Sequence, residues 1–163
     1  MHVERTKFVN RCTKILTIIA SCLFCTSCAT SNNPDSRVMS HHSTGNTAQD
    51  TGIRYLLGQG VRQNNQKAFY WFEQAARQDN PFAQNELAYM YVTGKGTTQN
   101  FKQALYWYQQ SASHGLSSAE YSLGLMYLNG MGVESNKEIA RKWFKQSASH
   151  GFAPAQIALQ ALQ

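Results

Sequence analysis

The sequence predicts an all-α chain, a short solenoid of helix-turn-helix units with a period of 36 residues. Three observations predict it. The chain matches itself at an offset of 36, the apolar residues inside each unit follow helical spacing, and no cysteine lies where it could staple a fold. At that offset Trp71, Trp107 and Trp143 superpose, as do Ala68, Ala104 and Ala140. Ala76, Ala112 and Ala148 align, and so do Ala83, Ala119 and Ala155, Leu87, Leu123 and Leu159, and Tyr55, Tyr91 and Tyr127. A fixed period of roughly 20–50 residues signals a stacked array, in which each unit buries its apolar face on its neighbours.

The first segment, residues 1–27, reads as an export signal. Arg5, Lys7, Arg11 and Lys14 stand against one acid, Glu4, and a mostly apolar run follows from Ile15 to Cys25. A basic stretch, a short apolar stretch and small residues are the ordinary parts of such a leader. The apolar run is shorter than the roughly 20 residues a membrane-spanning helix needs. All four cysteines, Cys12, Cys22, Cys25 and Cys28, fall in the first 28 residues, so they cannot form a disulfide framework for the rest.

Residues 28–47 are polar, poor in large apolar side chains, and interrupted by Pro34 and Gly45. Such a stretch cannot offset its chain entropy by burial, so it reads as a flexible tether. The adjacent His41 and His42 are read as part of that solvated linker, and no metal site is expected. Net charge is +6 for the whole chain, and the leader holds half of it. The remainder is mildly basic with no concentrated stripe, which argues against nucleic acid as a partner.

From residue 48 to 163 the sequence reads as three helix pairs and one closing helix. The first helix of a pair is plain in Pro81 to Thr93, where Ala83, Leu87, Met90 and Tyr91 fall on one face. Pro81 suits a first turn. In the next copy, Ser117 and Glu120 have capping-box spacing. The second helix is plain in Phe101 to Ser113, with Asn100 to cap its start, Gly115 its end, and Ala104, Trp107, Tyr108 and Ala112 as its stripe. Trp107 is expected in the core.

The stretch Thr93 to Asn100, TGKGTTQN, invites a phosphate-loop reading. Its copies exclude that: Gly94-Lys95-Gly96 recurs as Gly58-Gln59-Gly60 and Gly130-Met131-Gly132, so only the glycines repeat. A phosphate loop needs the lysine, after a longer glycine spacing. The first glycine is expected to end a helix in the left-handed region, and the second to let the chain turn into the next helix.

Chemistry-bearing clusters are scarce. His114 and His150 share one repeat position, but packed helices lie about 8–10 Å apart, too far for one ion, so helix-end capping is expected. No G-x-S-x-G elbow occurs. Glu73, Glu86, Glu120, Glu134 and Glu138 are scattered, with no evident acid/base pair. No catalytic residue, cofactor or metal is expected. Tyr70 and Tyr106 are expected to be exposed, since Lys142 holds their position in the third copy.

The pattern A-x-x-x-L-G-x-M-Y-x-x-G-x-G followed by A-x-x-W-[FY]-x-x-[AS]-A resembles the Sel-one-like repeat, a relative of the tetratricopeptide repeat. Its best copy here is AEYSLGLMYLNGMG, Ala119 to Gly132, with ARKWFKQSA, Ala140 to Ala148. Ala88 replaces the family's glycine in one copy. The resemblance implies a right-handed solenoid whose groove is floored by the first helix of each pair, used for protein binding without catalysis. On that face Asn85, Tyr89, Tyr121 and Leu125 are the candidate partner-binding residues, with peptide segments as the expected partners.

Some relatives with cysteine-bridged repeats are associated with β-lactam binding and weak hydrolysis, but those cysteines are absent here. Two other readings are a cell-wall glycan binder and, less favoured, such a hydrolase. The leader resembles a bacterial lipoprotein signal, which implies a lipid on Cys28, with Cys22 as the alternative. Ala29 after Cys28 then implies the outer membrane, facing the periplasm.

Overall fold

The computed structural model describes residues 46–162, and all its regular elements there are helices. They are α1 (Asn46–Leu57), α2 (Asn65–Ala76), α3 (Pro81–Thr93), α4 (Phe101–Ser113), α5 (Ser117–Asn129), α6 (Lys137–Ser149) and α7 (Ala153–Ala161). Packing is most extensive within the pairs, α1 with α2, α3 with α4 and α5 with α6, and next between the second helix of each pair and the helix that follows it. The result is an all-α solenoid of three pairs closed by α7. No described helix is long and apolar enough to cross a membrane.

Local chemistry sets the boundaries. The second helix of every pair starts on an asparagine: Asn64, Asn100 and Asn136 are N-caps whose side chains accept backbone N–H bonds from Lys67, Gln103, and Glu138 and Ile139. This satisfies donors that a helix start otherwise leaves unpaired. The same asparagines tie the loop to the helix before it, since their N–H groups donate to the carbonyls of Tyr55, Tyr91 and Tyr127 at 2.8–2.9 Å. Pro81 occupies the first turn of α3, and Gly94 and Gly130 end α3 and α5 with φ of 71° and 68°.

The second glycine does more than turn the chain. A Cβ on Gly96 would lie 2.6 Å from the carbonyl carbon of Asn65, and one on Gly132 2.6 Å from that of Phe101. Asn65 and Phe101 are the first residues of α2 and α4. Each loop is therefore seated on the second helix of the preceding pair, backbone against backbone.

Two expectations are corrected. Ser117 and Glu120 form no capping box: Leu116 is the N-cap of α5, with no side-chain cap bond, and Ser117 already lies inside the helix. Its carbonyl accepts the Ser147 hydroxyl at 2.7 Å, and Glu120 is drawn away toward α6. Nor are the tryptophans the innermost rings. Trp71, Trp107 and Trp143 are half-buried, whereas their neighbours Phe72, Tyr108 and Phe144 are fully buried. One residue is a 100° step on a helix, so the aromatic after the tryptophan points at the pair mate and the indole sits at the edge.

The core is small side chains around those rings. Ala68, Phe72, Ala75, Ala83, Leu87 and Met90 form a buried cluster flanked by Ile53, Trp71, Tyr91 and Trp107. Gly124 is open because the Phe144 ring lies flush against the α5 backbone, where a Cβ would overlap it. Buried Ser111 and Ser147 stitch successive helices by donating to the carbonyls of Pro81 and Ser117.

Candidate partner-binding face

The first helices, α1, α3, α5 and α7, carry the residues that vary between repeats. Asn85 on α3 is 6% exposed. Its Nδ2 donates to Glu86 Oε1 at a long 3.4 Å, and its Oδ1 has no partner. Tyr89, one turn on, is half-buried, and burial raises its phenol pKa. Tyr121 and Leu125 do not stand on an open surface as the repeat comparison implied: they are 7% and 6% exposed. Tyr121 packs against Phe144 and Phe152 with ring centroids 5.5 and 5.4 Å apart. Variation at that position is thus partly repacking: the Tyr121 ring packs against α6, and its copy Asn85 on α3 is just as buried. Cys28 and Cys22 lie outside the described residues.

Glu86 was passed over in the sequence as one of several scattered acids. Burial pushes its carboxyl pKa up to about 7, against smaller opposing effects of the Asn85 hydrogen bond and the charge of Lys95. It faces Tyr89 on its own helix and Tyr108 on α4, both of which feel its charge. Burial raises the Tyr108 phenol as well, and that hydroxyl is hydrogen-bonded to Ser122 on α5. One signal was available: Glu86 lies between Asn85 and Tyr89 on the chosen face, and its copies are Asp50, Ser122 and Ala158.

A second polar contact joins α5 to α6. Glu120 is fully buried, and its carboxylate accepts from Gln146 Nε2 at 2.7 Å and pairs with His150 Nδ1 at 2.9 Å. His114 and His150 are the C-caps of α4 and α6, but only the His150 ring meets an acid, because the copy of Glu120 facing His114 is Gln84. Among the described residues no three His, Cys, Asp or Glu side chains gather as a metal site would require.

On the second helices the exposed aromatics are Tyr70 and Tyr106, 53% and 49% exposed. Each meets the tryptophan after it edge to face, with centroids 5.4 and 5.0 Å apart. Lys142 replaces the tyrosine in the third pair and is exposed.

The family model of the Sel1 repeat matches residues 48–80, 81–116 and 117–152, three consecutive copies that coincide with the three helix pairs. The chain belongs to the Sel1 repeat family. Sel1 repeats generally serve as protein–protein interaction scaffolds and are typically non-enzymatic. Among solved structures, a Sel1 repeat protein from Oxalobacter formigenes is 32% identical, with a TM-score of 0.66 over 72% of this chain and 88% of that one. The protective antigen c5321 of uropathogenic Escherichia coli, which displays an SLR fold, is 32% identical with a TM-score of 0.65 over 66% of this chain. The match spans only 23% of that longer antigen. Cysteine rich protein B of Helicobacter pylori shares the fold at 21% identity, with a TM-score of 0.59 over 69% of this chain and 88% of that one. No curated protein matches the chain.

Proposed function

We propose that this Sel1 repeat protein is an adaptor of the bacterial envelope, held to the membrane by an N-terminal lipid and binding protein segments along its first-helix face. One observation carries the binding reading. The capping asparagines, the glycine pairs and the tryptophans recur in all three pairs, while one position of the first helix holds Ile53, Tyr89, Leu125 and Ala161 in turn, and Tyr89 there is only half-buried. A scaffold needs constancy where repeats stack and difference where a partner is read. The reading is one of binding without turnover, in keeping with a family that is typically non-enzymatic. In vivo crosslinking through a photoreactive residue at Tyr89 tests it: capture of defined partners at Tyr89, and not at Arg62, is the expected result, and equal capture at both refutes the face.

The membrane part of the reading rests on the leader alone. A palmitate label is expected in the wild-type chain and absent from Cys28→Ala. Label retained in that variant moves the anchor to Cys22, and label absent from wild type removes it.

A second reading has its own observation. The exposed Tyr70 and Tyr106, each braced by a tryptophan, repeat at 36 residues on the second helices, and aromatic faces of this kind can stack on sugar rings. Co-sedimentation with peptidoglycan that disappears in the double variant Tyr70→Ala, Tyr106→Ala would favour a glycan binder. A chromogenic β-lactam is expected to survive incubation with the protein.

A further inference from the structure

Between the last turn of α1 and the first turn of α2 lies an open hollow of about 570 Å³, lined by Tyr55, Val61, Arg62, Gln63, Asn64 and Lys67. That is within the roughly 300–1,000 Å³ range of small-ligand sites. Short bonds along the chain fix its wall. The Asn64 N–H donates to the Tyr55 carbonyl at 2.9 Å, Asn64 Oδ1 accepts from the Lys67 N–H at 2.9 Å, and Gln63 Nε2 donates to the Leu56 carbonyl at 2.8 Å. Gln99 makes the matching bond to Val92 in the second pair, at 2.6 Å. Gln63 and Asn64 therefore belong to the frame of the repeat.

Arg62 and Lys67 do not. At their positions the second pair holds Thr98 and Gln103, and the third Glu134 and Ile139. Folding of the repeat thus calls for no cation at either place. Arg77 and Arg141 each pair with a glutamate one turn away, but among the described residues neither Arg62 nor Lys67 meets a carboxylate. Lys67 Nζ stands over the Tyr55 ring instead, 5.1 Å from its centroid, a contact that favours holding the ammonium at the hollow. Both cations are exposed. The loop that carries Arg62 is also uncovered: a Cβ on Gly60 would meet no described atom within 4 Å, whereas the loops of Gly96 and Gly132 are seated on a preceding helix. Two like charges lining one hollow repel each other, and an anion between them turns that repulsion into attraction.

We propose that this hollow binds a phosphate monoester, with Arg62 and Lys67 holding the phosphate and Tyr55 and Val61 flanking the organic part. Charge and donor number select the ligand. A monoester carries about −1.5 to −2 charge and three strong acceptor oxygens, so it balances both cations and takes donors from both at once. Arg62 offers a planar fork of N–H groups and Lys67 a rotatable ammonium. A carboxylate, with a single charge and two oxygens, leaves half of that capacity unused. The monoester is either a soluble metabolite or a lipid headgroup, since the chemistry recognised is the same.

NMR titration of the full chain tests the site, with glycerol 3-phosphate, glycerol, acetate and dihexanoyl phosphatidic acid below its micelle concentration as probes. Glycerol 3-phosphate is expected to shift the backbone signals of Val61, Arg62 and Lys67 saturably, and glycerol to leave them in place. The double variant Arg62→Thr, Lys67→Gln takes the residues of the second pair and so keeps the fold; it is expected to weaken binding at least about ten-fold. Lys145→Gln, which removes an exposed cation elsewhere, is expected to change nothing. Tighter binding of the phosphatidic acid than of glycerol 3-phosphate assigns the site to a lipid headgroup, and the reverse order to a soluble ester. Absence of saturable shifts, shifts spread equally over Lys102, Lys137 and Lys145, or affinity retained in the double variant overturns the site. Acetate bound as tightly as glycerol 3-phosphate overturns the choice of phosphate.

Discussion

Replacing the second glycine of each Gly-x-Gly pair by alanine separates two jobs that the same residue performs. Gly60, Gly96 and Gly132 all sit at positive φ, 71°, 78° and 72°. Any L-residue placed there carries roughly 1–2 kcal/mol of left-handed strain. Gly96 and Gly132 carry a further burden, because the new Cβ would stand 2.6 Å from the carbonyl carbons of Asn65 and Phe101. Carbon atoms in contact prefer about 3.5–4.0 Å, so the loop and the preceding second helix must part by about 1 Å. Overpacking of that kind costs about 1–3 kcal/mol.

Gly96→Ala and Gly132→Ala should therefore each lose about 2–5 kcal/mol, against a typical domain stability of about 5–15 kcal/mol. Gly60→Ala should lose only the strain, since no described atom lies within 4 Å of its would-be Cβ. The N-terminal loop has no preceding pair among the described residues to sit on. Urea unfolding followed by circular dichroism measures all three in one background. If Gly60→Ala is destabilised as much as Gly96→Ala, the glycines act through dihedral freedom alone, and the inter-repeat seating is wrong.

Three further outcomes follow from burial and charge. Phe144→Ala should cost about 3–5 kcal/mol and Trp143→Ala clearly less, because the phenylalanine is fully buried and the indole half-buried; equal melting shifts would restore the tryptophan to the core. Glu86→Gln should stabilise the fold at pH 8 and do little at pH 4. A carboxyl whose pKa is raised in the folded state holds its proton more tightly there, so stability falls as pH climbs from the ordinary carboxylate range through about 7. The partly exposed site limits the gain to on the order of 1–3 kcal/mol, and a variant equally shifted at both pH values would show the effect to be packing. Asp79 stands at φ 58° where its copies are Gly115 and Gly151, so Asp79→Gly should gain about 0.5 kcal/mol in the same urea series.

The helices could be read from the sequence because their signals are local and repeated. Asn100 before an apolar-periodic run, Pro81 in a first turn and Gly94 after a last turn each specify a boundary through bonds within a few residues. Three copies in phase turned those weak signals into one pattern. The sequence misled on which of two adjacent aromatics goes inside: Trp107 recurs unchanged while the copies of Tyr108 are Phe72 and Phe144, yet the choice depends on how α4 is rotated against α3. Ser117 and Glu120 had the spacing of a capping box, yet a tertiary partner on α6 competed for the glutamate and won. Of the candidate binding residues, Asn85 and Tyr89 flank an acid whose character comes from its surroundings, while Tyr121 and Leu125 share a face that the neighbouring helix covers.

By itself the sequence determined the period, the helix ends and the positions that every copy must fill with small or apolar side chains. Those are consequences of backbone geometry and of burial repeated at fixed spacing. Only the tertiary structure decided that Gly96 and Gly132 are contact points between pairs, that Phe72, Tyr108 and Phe144 seal them, and that burial raises the Glu86 carboxyl pKa. These depend on distances between residues roughly 20–30 apart along the chain, which no local pattern encodes and which close packing fixes to within a fraction of a side chain.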